Sequence, residues 1–281
     1  MYYPAPLYLT PFIMTGMVAI ITAVLLGLNR ALQSSPRPQT DGPENDWPEK
    51  DWPEKDLSEK DRAKAFWSLS LLLMAWFVVA TLTSLVGFYQ PPSGSAPTIQ
   101  YGLVIPIVLG VLLFRAWPLL RRTLAVIPNS WLVGVQLYRA LGVIFLILYA
   151  GGHLPALFAL PAGIGDVLVG ILAPVAATAY ARSPQGARLR VWLWNLLGIT
   201  DLVVAVTMGF LTSPSPLQAA AFDRPSVLIG MFPLSLIPVF GVPLSILLHL
   251  ASLRKLRADQ SAADRTRGIQ QVGPSGHRVT A

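Results

Sequence analysis

Residues 156–178 read ALFALPAGIGDVLVGILAPVAAT, twenty-three positions with a single charged side chain, Asp166, near the middle. A helix of that length reaches about 34 Å, enough to cross a hydrocarbon core of about 30 Å. In lipid the backbone must satisfy its own hydrogen bonds, so an apolar run of this length is read as a transmembrane helix. A carboxylate at its centre is costly there and calls for a partner.

Working outward, six further apolar runs are read as spans: Leu7–Leu28, Phe66–Phe88, Tyr101–Leu120, Ser130–Tyr149, Val191–Leu211 and Leu228–Leu250. The composition agrees. Of 281 residues 53% are hydrophobic and only 12% charged, with a mean hydropathy of +0.55. Soluble domains carry roughly 25% charged residues. A soluble enzyme is excluded, and the expected fold class is an all-α polytopic membrane helix bundle with seven transmembrane helices. There is no cysteine, which rules out disulfides, thiolate metal sites and cysteine nucleophiles together.

Charge placement orients the bundle. With the N-terminus outside and the C-terminus cytoplasmic, segments 29–65, 115–128, 181–190 and 251–281 hold 19 of the 21 Lys and Arg residues, and the outer segments hold only Arg224. Omitting the third run, which Arg115 interrupts, would place most positive charge outside, against the positive-inside tendency. The first run has no Lys or Arg before it and Arg30 just after it, the pattern of an uncleaved N-out anchor. The net charge of +7 and pI near 9.9 therefore reflect loop charges beside the bilayer, and nucleic acid is not an expected partner.

Four segments follow: a first helix over 1–28, a cytoplasmic linker over 29–65, the membrane bundle over 66–250 and a basic cytoplasmic tail over 251–281. The linker contains Asp46-Trp-Pro-Glu-Lys50, its copy Asp51-Trp-Pro-Glu-Lys55 and the decayed Asp56-Leu-Ser-Glu-Lys60. Nine acids and seven bases there leave too little apolar surface for a core, so it reads as disordered, with Trp47 and Trp52 as an alternative docking motif. Asp56 with Glu59 suggests a capped helix start. In the tail, Arg254, Lys255 and Arg257 suit anionic headgroups.

Arg139, Asp166 and Asp201 each fall near the middle of a span. Small residues share the face of each aspartate: Ala162, Gly170, Ala173 and Ala177 on the fifth span, Gly198, Ala205 and Gly209 on the sixth, with Asn195 beside Gly198. Such stripes favour close helix packing. Gln136, three residues before Arg139, is expected to accept from the guanidinium and donate to a carboxylate. The candidate midplane polar site is therefore Gln136, Arg139, Asp166, Asn195 and Asp201, with no catalytic residue, metal site or cofactor expected. The segments 163–169 and 198–204 also match weakly, as an inverted repeat would. Pro233, Pro238 and Pro243 suggest a kinked seventh span, and His249 is expected at its inner interface.

Gln136-Leu-Tyr-Arg139, Pro161-Ala-Gly-Ile-Gly-Asp166, Trp194-Asn195 with Gly198 and Asp201, 210–218 and 243–250 together resemble a group of uncharacterised bacterial multi-pass membrane proteins. The resemblance spans 131–256 and implies the bacterial cytoplasmic (inner) membrane; it brings no activity with it. One guanidinium neutralises one of two carboxylates, so the other is expected to hold a proton or Na⁺. Passage of a small solute linked to proton or cation is one reading. A non-transporting scaffold or accessory subunit, in which the same residues only hold helices together, is the other. A lipid-modifying enzyme lacks a visible nucleophile or metal ligand beside the carboxylates.

Overall fold

The computed structural model describes residues 5–34, 57–92 and 95–271, with side chains to residue 260. The pentapeptide copies at 46–55, with Trp47 and Trp52, lie outside the described residues. Among the described residues the secondary structure is helical, and seven helical segments are long and apolar enough to cross a membrane. In chain order the elements are α1 (Leu9–Gln33), α2 (Glu59–Leu85), α3 (Ile99–Ala116), α4 (Pro118–Val126) and α5 (Asn129–Gly134). A 3₁₀ stretch (Val135–Gly142) leads to α6 (Val143–Ala150), followed by α7 (Ala156–Arg182), α8 (Pro184–Thr212) and α9 (Val242–Gln271). The fourth span is the composite Asn129–Ala150, and the seventh runs over Ile237–Gln260.

Several boundaries differ from expectation for local reasons. The cap of α2 is Ser58, whose hydroxyl accepts from the Asp61 backbone N–H, rather than Asp56. The third span stops at Ala116 instead of Leu120. Trp117 precedes Pro118, and the proline ring pushes its neighbour out of the helical region; Trp117 sits at φ −102°, ψ 103°. Leu228, expected to open the seventh span, lies in a 3₁₀ turn (Val227–Gly230), and the span starts at Ile237 with a π-helical turn to Gly241. Pro233 and Pro238 each lack the N–H that an earlier helix start would need.

The segment after residue 250 begins as helix. α9 continues through Ala251 to Gln271 without a break. Arg254 donates to the Phe114 carbonyl at 2.9 Å, and Lys255 to those of Leu124 and Ala125 at 3.3 and 2.6 Å. These carbonyls end α3 and α4, where helices leave acceptors unsatisfied and the dipole is negative. Both cations thus cap helix C-termini.

Helices α7 and α8 form a tight antiparallel pair joined at Ser183, whose hydroxyl accepts from the Gly186 N–H. The 3₁₀ stretch packs on α7 so closely that a Cβ on Gly170 would overlap the backbone nitrogen of Ala140. With three residues per turn, a 3₁₀ helix stacks every third side chain on one line, and Gln136, Arg139 and Gly142 are its buried residues. Two apolar cores flank that line. One gathers α1, α6, the start of α7 and the 228–240 segment; the other joins Val169, Ala173, Tyr180, Val191, Trp194 and Leu256 toward the end bearing Arg182 and Arg254, the basic end.

Candidate midplane site

Counting from the end opposite the basic one, Arg139 lies 11 residues from Ala150, Asp166 10 from Ala156, Asp201 11 from Thr212 and His249 12 from Ile237. At about 1.5 Å per residue each is about 15–18 Å along its helix from that end, a length comparable to half of a hydrocarbon core of about 30 Å. Four polar side chains from four spans therefore meet at one level.

Arg139, 3% exposed, is the hub. Its Nε donates to Asp166 Oδ1 at 2.8 Å, Nη2 donates to Asp201 Oδ2, and Nη1 donates to the Gly198 carbonyl at 3.2 Å. The guanidinium binds both carboxylates, one from each of two antiparallel helices. Absent side chains make the approach feasible: a Cβ on Gly165 would overlap the Asp201 carboxylate, and one on Gly198 the imidazole of His249. A Cβ on Gly163 would overlap the Leu146 side chain.

His249 is fully buried and corrects the interfacial placement expected of it. The late start of the seventh span and its continuation past Ala251 put this residue at the centre. Its Nε2 lies 3.2 Å from Arg139 Nη1, and its Nδ1 lies 2.9 Å from Asn195 Oδ1. Asn195 Nδ2 donates to the Val191 carbonyl at 2.8 Å and to Ser252 Oγ at 3.0 Å. The Val191 carbonyl only accepts, which fixes the amide's orientation and leaves Oδ1 facing the ring. Arg139 only donates. The chain closes with a neutral imidazole that carries hydrogen on Nδ1 and accepts at Nε2. The Trp194 ring lies 4.9 Å from the imidazole, and its Nε1 donates to the Val169 carbonyl.

Of the expected constellation, Arg139, Asp166, Asn195 and Asp201 come together. Gln136 does not join them. It is fully buried on the same line, yet neither amide atom has a hydrogen-bond partner among the described residues. One 3₁₀ turn separates it from the guanidinium, and the carboxylates occupy the donors it was expected to meet. His249 and Ser252 were missed, although Ser245, His249 and Ser252 recur at steps of four and three on an apolar helix, the signature of one buried polar stripe. Ser245 donates to the Gly241 carbonyl at 3.0 Å and so accepts from the Tyr138 hydroxyl at 2.6 Å, tying the seventh span to the fourth one residue before Arg139.

A cavity of about 380 Å³ leads from the α2–α3 and α8–α9 connections to Asp166. Arg139 is absent from its lining. A smaller cavity of about 50 Å³, on the side of α1, touches Arg139, Asp166, Tyr138 and Ser245. Toward the basic end the site is covered by the second apolar core. Among the described residues no cluster of three His, Asp or Glu has the arrangement of a metal site.

Residues 96–257, more than half of the chain, match the family model described as Domain of unknown function (DUF8737), and the chain belongs to that family. The match takes in the third to seventh spans and every member of the polar site. Comparisons with curated proteins and with solved structures give no match.

Proposed function

For this member of the DUF8737 family we propose proton- or cation-linked passage of a small solute through the bundle of spans three to seven. The observation that carries this reading is the 380 Å³ cavity that ends on Asp166 while the basic end is closed by packed side chains. Access from one side to a charged midplane site is half of an alternating-access cycle. Two carboxylates share one guanidinium, so one negative charge is left for a proton or Na⁺. The 3₁₀ stretch carrying Arg139 suits a moving part, since long 3₁₀ runs are uncommon and mark hinges. We place the N-terminus outside and the C-terminus in the cytoplasm of a bacterial inner membrane, from the Lys and Arg distribution and the motif resemblance.

The four contacts of Arg139 favour one other reading, a non-transporting scaffold in which the network only joins four spans. Melting the purified protein with and without Na⁺ from about pH 5 to about pH 9 separates the two, because an ion bound to the folded state raises its melting temperature by mass action. Transport predicts a response in the parent that Asp166→Asn loses while remaining folded. A parent indifferent to pH and Na⁺ leaves the scaffold.

A further inference from the structure

Resting on the transport reading of the same cavity, we propose that its cargo class is an apolar organic monocation, an aryl- or alkyl-substituted ammonium, seated with its charge on Asp166. Asp166 is the one ionisable carboxylate in the cavity lining, and no Lys, Arg or His accompanies it there. Arg139, which also contacts that carboxylate, lines the smaller cavity and not this one. An occupant of the large cavity therefore contacts the carboxylate and not the guanidinium. Asp166 gives Arg139 a single contact, through Oδ1, while its Oδ2 lies beside Gly142.

The walls set the rest of the cargo. Between Asp166 and the connections they are Leu103, Phe145, Phe158, Val206, Phe210 and Ile237. A polyol or sugar would strand its hydroxyls against these side chains, at a cost for each unpaired group. An anion would face the carboxylate with no cation to receive it. An ammonium on an apolar skeleton meets neither penalty, and aromatic rings beside its path add cation–π attraction. Phe145 and Phe158 pack edge to face with centroids 5.2 Å apart, so the wall beside the carboxylate is a stiff aromatic corner. The volume suits a small organic molecule, being near the lower end of the about 300–1,000 Å³ usual for such sites.

The test titrates the full chain in lipid nanodiscs, at one pH, with benzyltrimethylammonium, neutral N,N-dimethylbenzamide and anionic phenylacetate. The cation is expected to bind at least about tenfold more tightly than either comparator, a discrimination that one charge contact can supply. Asp166→Asn should remove that preference. Ala205→Phe, which fills the cavity without touching the Arg139 network, should abolish binding. Equal affinity for the neutral compound, preference for the anion, or cation binding that survives Ala205→Phe would each overturn the proposal. If Asp166→Asn does not fold, the comparators and Ala205→Phe decide alone. Absence of binding beside an intact Na⁺ or pH response removes the cargo class and leaves the transport reading. Binding without gradient-driven flux of the probe in proteoliposomes does the reverse.

Discussion

Arg139 Nη1 lies 3.2 Å from His249 Nε2, and in that contact the imidazole must be the acceptor, because a guanidinium has hydrogens to give and no lone pair to offer. The consequence runs through the ring: Nδ1 must donate, Asn195 Oδ1 receives, and Ser252 and the Val191 carbonyl take the amide hydrogens. A lone histidine on an apolar helix thus connects three charged side chains on three spans to the Asn195–Ser252 hydrogen bond.

Replacing His249 by Phe keeps much of the volume and removes both ring nitrogens. It leaves Asn195 Oδ1 without its donor and Arg139 Nη1 without one acceptor. Each stranded buried group costs about 1–3 kcal/mol, so the melting temperature in detergent should fall clearly. A melting temperature equal to the parent's would mean the ring contributes packing alone.

The two aspartates should differ. Asp201→Asn removes the charge opposing Arg139 Nη2, and breaking a buried pair costs about 3–5 kcal/mol. Asp166→Asn is expected to cost less, since Asp166 adjoins the cavity and Asp201 does not, so solvent can reach the charge that the substitution leaves unpaired. Thermal melts of both variants check the order; a more severe loss in Asp166→Asn would reverse the roles given to the two carboxylates.

Helix propensity favours alanine over glycine by about 1 kcal/mol in a helix interior. At 165 and 198 the sign should invert, because the new methyl would overlap the Asp201 carboxylate and the His249 ring. At Gly209 a Cβ would meet Phe158 at an ordinary 3.7 Å, so Gly209→Ala should be neutral or stabilising. Comparing the three melting temperatures tests whether the close approach at 165 and 198 is real.

Topology is open to direct measurement because the chain has no cysteine. Gln185→Cys, at the start of α8, and Ala219→Cys, in the connection after its end, occupy exposed positions. In intact cells an impermeant maleimide should label Ala219→Cys, and Gln185→Cys only after permeabilisation. The opposite pattern would invert the orientation drawn from the Lys and Arg distribution.

Seven apolar runs were legible in the sequence because the cost of leaving a backbone unpaired in lipid is local and depends on composition alone. The same held for Arg139, Asp166 and Asp201, since a charge within such a run is visible whatever its neighbours. Their common depth followed from counting residues, and their junction followed from the cost of leaving any of them alone. Tertiary structure decided the rest. Whether Gln136 or His249 reaches the guanidinium depends on where a helix starts and how it winds, which hydropathy does not register. The 3₁₀ winding of 135–142 puts Gln136 one turn before Arg139 on the same buried line, and neither amide atom reaches the guanidinium. The delayed start at Ile237 moves His249 from the interface to the centre of its span. Both shifts are set by packing, against α7 in one case and by the prolines before α9 in the other, so a run of apolar letters carries neither.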